Sequence, residues 1–264
     1  MDSKHLIPLM GAICGDIIGS AYEGRKTKRF DFQLFTHKSR FTDDTVMTVA
    51  VADWILSGKD LVQCVQKWGN RYPHAGYGGM FRSWLITNNP QPYNSFGNGS
   101  AMRVSAVGWA YDDINTVLEK AKESAEITHN HPEGVKGAQA AAVAVYLARP
   151  GKSKEEIKEY IKEKFSYFLD RTINEMRPSY HFDISCQGSV PESIIAFLES
   201  SDYETAVRLA VSLGGDADTM GAIAGSIAAA YYKTINPFIL SECWNRLSPD
   251  IKQIIQDFGK IYKP

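Results

Sequence analysis

The sequence predicts an all-α fold, a compact multi-helix bundle that forms one domain over residues 1–264. Apolar residues recur along much of the chain with a period of about 3.6 residues, which places them on one face of a helix. Sustained alternation of apolar and polar residues, the pattern of a half-buried strand, is nearly absent. Several periodic segments are rich in alanine, as expected of helices that are buried on most faces. The predicted helices cover residues 45–56, 116–127, 135–148, 154–169, 190–200, 203–213 and 218–232.

A further helix near the N-terminus and the helix at 218–232 both carry small residues at every fourth position. These positions are Gly11, Gly15 and Gly19 in the first helix and Ala217, Gly221, Gly225 and Ala229 in the second. An interior glycine costs up to about 1 kcal/mol relative to alanine in helix propensity. Close approach of two helix backbones would offset that cost, so we expect both helices to lie deep and to touch. The alternative is that these are merely small residues in a crowded core.

The balance of charge gives no indication of binding to nucleic acid or to a membrane surface. The chain has 29 Lys and Arg against 30 Asp and Glu, a net charge of −1, and therefore no strong global field. Its 264 residues and 44% hydrophobic content are enough to bury a substantial core. A chain of this size needs no partner to fold, and we expect a monomer.

The cysteines and the apolar segments predict a reduced, cytoplasmic protein. Cys14, Cys64, Cys186 and Cys243 are scattered singly, which argues against a disulfide framework or a zinc site. Residues 6–14 resemble a short signal sequence, but Asp16 follows and no clear cleavage site is present. No apolar run reaches the roughly 18 residues of a transmembrane helix.

Two acid pairs open helices at opposite ends of the chain. Residues 42–45 read TDDT and residues 215–219 read GDADT, and each stretch leads directly into an apolar helix. A short side-chain oxygen can cap a helix start, and the positive end of the helix dipole favours nearby carboxylates. Capping is therefore the favoured interpretation of each stretch taken singly.

Taken together, the two stretches predict a metal site. If the core brings both helix starts to one place, their oxygen donors share a small volume with the carboxylate of Glu23. These donors belong to Thr42, Asp43, Asp44, Asp216, Asp218 and Thr219. Like charges at close range raise one another's pKa unless a cation intervenes. An oxygen-only set suits Mg²⁺, Mn²⁺ or Ca²⁺ rather than zinc or copper, and so many carboxylates suit two ions better than one.

Two polar loops are candidates for ligand contacts. Residues 96–103, FGNGSAMR, place two glycines around Asn98, and glycine lets backbone N–H groups approach a phosphate. On this pattern alone an ordinary turn is favoured. Residues 128–134, THNHPEG, place His129 and His131 before a proline-initiated helix. Either histidine could contact a ligand, bind a metal or cap the helix, and a cap is favoured without further information.

These motifs, in this order, resemble the ADP-ribosylglycohydrolase family, which includes the dinitrogenase reductase-activating glycohydrolases. The matching stretches are residues 11–24, 41–48, 96–108, 128–134, 190–198 and 212–232. Each motif is common, but the ordered set is specific and extends over nearly the whole chain. The resemblance implies an all-helical domain that releases ADP-ribose from modified targets and uses two Mg²⁺ or Mn²⁺ ions.

Carried over residue by residue, the resemblance implies a role for each matched position. The metal ligands are Thr42, Asp43, Asp44, Asp216, Asp218 and Thr219, with Asp218 bridging the ions. Glu23 falls at the substrate gate or metal edge and joins Asp43, Asp44 and Asp218 as a catalytic candidate. The ADP-ribose-binding residues are Gly97, Asn98, Gly99, Ser100 and His129. No role is implied for His131, Met102 or Arg103.

The implied activity is hydrolysis of the glycosidic bond between ADP-ribose and a protein, a nucleic acid or a small molecule. A water activated at the dinuclear site attacks as the ribose develops oxocarbenium character. Two alternatives remain: a catalytically inactive relative that only binds ADP-ribose, and a two-metal nucleotide phosphohydrolase. The acceptor, whether arginine, serine, a nucleobase, phosphate or an acetyl group, is not encoded in these motifs.

A basic segment follows Glu23. Residues 25–41 carry six Lys and Arg side chains and one acid. A solvated loop is the favoured interpretation. The more specific hypothesis is that the segment forms a mobile flap over the metal site, in which Lys26, Lys28 and Arg29 attract an anionic substrate.

Overall fold

The computed structural model describes residues 3–24 and 27–263. Within these residues the chain forms fourteen α-helices, and the sole β pairing is an isolated bridge between Gly97 and Ser185. The all-α prediction is confirmed. The α-helices are α1 (Ile7–Gly19), α2 (Asp43–Ser57), α3 (Leu61–Arg71), α4 (Gly79–Leu85), α5 (Ser105–Ala110), α6 (Ile114–Glu126), α7 (Pro132–Ala148), α8 (Lys154–Phe165), α9 (Ile173–Met176), α10 (Cys186–Glu199), α11 (Tyr203–Val211), α12 (Ala217–Tyr232), α13 (Pro237–Asn245) and α14 (Pro249–Ile261). Short 3₁₀ helices span Ser3–Leu6 and Asn98–Ser100.

Every predicted helix is present, and local capping sets the ends that differ. The helix predicted over 154–169 is α8, which ends at Phe165 because Ser166 takes a left-handed conformation with a φ of 55°. Helix α10 starts earlier than predicted, at Cys186, because the Ser185 side chain accepts a hydrogen bond from the Gly188 N–H. The sequence pattern did not predict α3, α4, α9, α13 or α14, whereas α5 is the helix expected after residues 96–103.

Helices α1 and α12 pack backbone to backbone, as the small residues predict. A Cβ added at Gly15 would lie 2.0 Å from the Gly221 carbonyl oxygen, and one added at Gly221 would lie 2.6 Å from the Gly15 carbonyl oxygen. At the end of α1, a Cβ at Gly19 would lie 2.1 Å from the Ala217 carbonyl oxygen. This packing sets the end of α1 against the start of α12, and with it the turn that carries Glu23.

The four cysteines are buried and free, in agreement with the sequence interpretation. Among the described residues, no helix combines the length and the apolar character needed to cross a lipid bilayer. The large buried side chains, from α1 through α14, form one hydrophobic cluster.

The basic segment is non-helical across residues 27–41, and two of its cations, Lys28 and Arg29, have hydrogen-bond partners. The Lys28 ammonium donates to the carbonyl oxygens of Tyr180 and Leu213, next to the turn that precedes α12. Arg29 forms a bidentate pair with Asp31, at 2.9 and 2.8 Å. Lys28 therefore anchors the segment, in contrast to the flap hypothesis, while Lys26 lies outside the described residues.

Candidate active site

A cavity of about 610 Å³ opens where the starts of α2 and α12 meet the 3₁₀ helix at Asn98–Ser100. Most of the predicted site residues line it, namely Glu23, Asp43, Asp44, Gly97, Asn98, Gly99, His129, Asp216, Asp218 and Thr219. The remaining two, Thr42 and Ser100, are buried and do not line it. Residues far apart in the sequence therefore converge on one site.

The two acid pairs meet in this cavity. The Thr219 hydroxyl, on α12, donates a hydrogen bond of 3.2 Å to Oδ2 of Asp44, on α2. Glu23, Asp216 and Asp218 each place a carboxylate oxygen within 4.8 Å of those of the other two. Glu23 is exposed at the rim, whereas both aspartates are buried. Acids from both ends of the chain thus share one small volume.

Burial and mutual repulsion raise the pKa values of these aspartates. Burial, and then the charge of Asp16, raise the pKa of Asp43 to about 7. Burial, followed by the charges of nearby carboxylates, holds the pKa of Asp44 and of Asp218 well above the ordinary value. Burial also raises the pKa of Asp216. Ionising all of them together is costly unless a positive charge lies among them.

The donor set fits divalent cations with oxygen ligands. Oδ1 of Asp44 is buried without a hydrogen-bond partner among the described residues, an arrangement that native proteins rarely leave unsatisfied. No ion pair with Lys or Arg neutralises the four aspartates within the described part of the chain. Carboxylate and hydroxyl oxygens are the ligands that Mg²⁺ and Mn²⁺ prefer.

Asp16 is a buried residue of the site that the sequence analysis did not single out. From α1 it accepts hydrogen bonds from the backbone N–H groups of Thr42 and Thr45, at 2.9 and 3.1 Å. It also accepts bonds from both threonine hydroxyls, that of Thr42 at 2.8 Å. Burial raises its pKa to about 6, against the opposing effect of these bonds. The signal was present in the sequence, since Asp16 is the single charge within an otherwise apolar helix.

The two helix starts use their polar residues differently. Thr42 is the N-cap of α2, and its hydroxyl oxygen accepts a bond of 3.3 Å from the Asp44 N–H while its proton is donated to Asp16. Asp216 occupies the N-cap position of α12 but makes no side-chain capping bond. Its carboxylate instead accepts a hydrogen bond of 2.8 Å from the Asn98 side chain. The capping interpretation is therefore right for Thr42 and wrong for Asp216.

The glycine loop is shaped to lie against His129. A Cβ at Gly99 would stand 3.2 Å from Nε2 of His129, and one at Gly97 would stand 3.5 Å away. Ser100 differs from the prediction, because its buried hydroxyl donates a 2.7 Å bond to the Gly134 carbonyl oxygen instead of lining the cavity. His131 caps α7 by accepting a bond from the Glu133 N–H, so of the two histidines His129 alone lines the cavity.

Apolar side chains that the sequence analysis missed form another part of the lining. Tyr93 and Phe81 are partly or fully buried there, while Met80, Phe182 and Ile184 are 64%, 44% and 58% exposed. A cavity that combines carboxylates, a glycine loop and apolar walls can bind a ligand with ribose hydroxyls, anionic groups and a flat apolar part. Tyr93, Phe182 and Ile184 come from connections, and Met80 and Phe81 come from the short helix α4, so none of them lies in a long periodic segment.

The family model for ADP-ribosylglycohydrolases matches residues 6–262. The chain belongs to this family. It is 28% identical to the ADP-ribosylhydrolase ARH3 of Homo sapiens, in an alignment that covers 85% of this chain and 84% of that protein. The ARH3 protein of Mus musculus is also 28% identical, with 85% and 82% covered.

Solved structures agree with the fold. The protein described as an ADP-ribosylglycohydrolase-related protein complex superposes with a TM-score of 0.74, covers 98% of both chains and is 23% identical. The resemblance inferred from the motifs is therefore confirmed, and family membership supports a hydrolase acting on an ADP-ribosylated substrate.

Proposed function

We propose that the protein is a metal-dependent hydrolase that cleaves the glycosidic bond between ADP-ribose and a modified target. The observation that carries this proposal is the convergence of oxygen donors from α2 and α12 with Glu23 in one cavity. Family membership supplies the substrate class.

The residues that would hold two Mg²⁺ or Mn²⁺ ions are Thr42, Asp43, Asp44, Asp216, Asp218 and Thr219. Such ions supply Lewis acidity that lowers the pKa of a water and orients ribose hydroxyls. The unpartnered Oδ1 of Asp44 and the raised pKa values of the cluster support this assignment.

The side chains of the protein supply the remaining steps of the proposed reaction. Asp43 or Asp44 accepts the proton of the attacking water, because both carboxylates line the cavity. Glu23 is exposed at the rim beside Asp216 and Asp218, and it controls access of the substrate's glycosidic bond to the site. Desolvation and the charge of Asp216 raise the pKa of Glu23, whereas the positive charge of Arg40 opposes them.

The glycine loop and His129 bind the other half of the substrate. Gly97 and Gly99 leave their backbone open to a diphosphate, and Asn98 ties this loop to Asp216 through a 2.8 Å hydrogen bond. The loop and the metal site are thus held in fixed relation, so the ADP moiety positions the ribose over the carboxylates.

The test is release of ADP-ribose from a panel of substrates modified on arginine, serine, a nucleobase, phosphate or an acetyl group, assayed with Mg²⁺ and with Mn²⁺. We expect at least one linkage to be hydrolysed, and the double variant Asp216→Asn, Asp218→Asn to lose this activity. Asp257→Asn, a substitution of an acid on the exposed side of α14, is the matched control.

Each alternative has its own outcome in this experiment. Binding of ADP-ribose in calorimetry without turnover of any linkage would favour a binding-only relative. Release of phosphate or of AMP would favour a nucleotide phosphohydrolase. Full turnover by a correctly folded double variant would overturn the proposed mechanism.

A further inference from the structure

A chain of three buried side chains lies behind the glycine loop. Arg103, which is 1% exposed, donates from Nη2 to the Thr128 hydroxyl oxygen at 3.1 Å. That oxygen lies 2.7 Å from Nδ1 of His129. Arg103 is held in place by further bonds to the carbonyl oxygen and the hydroxyl of Ser124.

Proton counting assigns the direction of these bonds. A guanidinium has only donors, so the Thr128 oxygen must accept from Arg103. The Thr128 oxygen could accept a second bond, but among the described residues Nδ1 of His129 is the sole acceptor within hydrogen-bond distance of the Thr128 hydroxyl, so its single proton is donated to Nδ1 rather than left buried without a partner. A neutral imidazole that accepts at Nδ1 carries its own proton on Nε2. Burial, and then the charge of Arg103, hold the pKa of His129 well below the ordinary value, which keeps the ring neutral.

The Nε2 atom faces the ligand side of the loop. A Cβ added at Gly97 or Gly99 would stand 3.5 or 3.2 Å from this atom, and His129 lines the cavity. Among the described residues, Nε2 has no hydrogen-bond partner in the protein. Arg103 also lines the cavity and forms no ion pair with any described carboxylate, so its buried positive charge is not neutralised by the chain.

We propose that Arg103 and Thr128 are positioning residues that hold His129 as the Nε2–H tautomer, which donates a hydrogen bond to the diphosphate of ADP-ribose beside the glycine loop. The identity of the ligand rests on the proposed function, whereas the tautomer does not. A donor fixed in advance loses no hydrogen bond when the anion enters, and the uncompensated charge of Arg103 favours the same anion.

The tautomer is measured directly in the free protein. Nitrogen-15 NMR of histidine-labelled wild type should show Nε2 protonated and Nδ1 unprotonated for His129 at neutral pH. Observation of the Nδ1–H form, or of a doubly protonated ring, would overturn the proposal whether or not the protein hydrolyses anything.

Substitution of Thr128 tests the role in binding. Thr128→Val removes the hydroxyl at nearly constant volume, and Thr128→Ser keeps it as a matched control. We expect Thr128→Val to weaken ADP-ribose binding and to raise KM by about tenfold with kcat little changed, while Thr128→Ser stays within about threefold of wild type. The His129 nitrogen signals should shift in Thr128→Val and not in Thr128→Ser.

The remaining outcomes are distinct. A folded Thr128→Val variant that keeps both the Nε2–H tautomer and wild-type affinity contradicts the positioning role. A wild-type protein with the Nε2–H tautomer but without affinity for ADP-ribose overturns the ligand assignment together with the proposed function, while a shift of the His129 nitrogen signals in Thr128→Val still supports the role of Thr128 in fixing the tautomer.

Discussion

At the residue scale, Asp16 lies outside the cavity lining but orients the hydroxyl of Thr42, a proposed metal ligand. Its Oδ1 accepts the hydroxyl proton of Thr42, while Oδ2 accepts both backbone N–H groups and the hydroxyl of Thr45. Because the Thr42 proton points toward Asp16, it does not occupy the side of the hydroxyl oxygen from which a cation would bind. Orientation of a ligand by a buried hydrogen-bond partner is commonly worth about 10- to 100-fold in metal affinity.

We expect Asp16→Asn to weaken Mn²⁺ binding by about tenfold with the fold retained. The asparagine oxygen can replace Oδ2 and keep those three bonds, but its NH₂ group can only donate toward Thr42 and so reverses the Thr42 hydroxyl. Titration with Mn²⁺ followed by electron paramagnetic resonance measures the affinity.

The control is Asp53→Asn, at a buried aspartate that accepts bonds from Lys67 and Trp68 and does not line the cavity. It should lower thermal stability and leave Mn²⁺ affinity unchanged. Equal Mn²⁺ affinity in Asp16→Asn and wild type would refute the orienting role of Asp16.

At the element scale, the contact between α1 and α12 positions Glu23, which follows α1, next to the aspartates at the start of α12. The glycines at every fourth position let the two backbones approach so closely that the end of α1 abuts the start of α12. Tyr203 reinforces the contact by donating a 2.7 Å bond to the Gly11 carbonyl oxygen. Helix packing, rather than any loop, brings Glu23 to the aspartates of α12.

We expect Gly15→Ala to lower the free energy of unfolding by about 3 kcal/mol or to prevent folding. The added methyl group would meet the backbone of Gly221, which cannot move aside as a flexible side chain can. Chemical denaturation measures the change. The matched control is Gly79→Ala, in α4, where an added Cβ meets nothing within 4 Å. Comparable stability of the two variants would argue against close packing as the reason for the glycines.

At the scale of the whole molecule, the buried acid cluster couples stability to pH and to metal. The pKa of Asp43 is raised to about 7 in the folded protein, and those of Asp44 and Asp218 are held well above their ordinary value. Acids with raised pKa bind more protons when folded than when unfolded. Their stabilising contribution is thus complete below the unfolded pKa of about 4 and is lost as pH rises through about 7.

We expect divalent metal to raise Tm more at about pH 7.5 than at about pH 5.5, because cations compete with protons for these carboxylates. Thermal unfolding with a chelator and with saturating Mg²⁺ or Mn²⁺ at both pH values measures the difference. The double variant Asp216→Asn, Asp218→Asn should lose most of the metal effect. A rise in Tm that is as large at the lower pH would contradict this coupling.

How much could be predicted from the sequence depended on whether a feature is local or long-range. Helix periodicity, glycine spacing and capping residues act within a few residues of one another, so the all-α class, the α1–α12 contact and the cap at Thr42 could be predicted. The ordered motifs identified the family, which was later confirmed. The helix ends at Phe165 and Cys186 escaped prediction because single residues set them, namely Ser166 and Ser185.

The sequence by itself determined the helical architecture, the family and the chemical character of the site, an oxygen-rich set of acids and hydroxyls. Only the tertiary structure decided that the side chain of Asp216 binds Asn98 instead of capping, that Ser100 turns into the core, and that Asp16 holds Thr42. It also decided that Thr128 lies between Arg103 and His129. The physical reason is that each of these depends on which hydrogen-bond partner lies within about 3 Å, and apart from the adjacent pair Thr128 and His129 those partners come from segments 25 or more residues apart in the sequence.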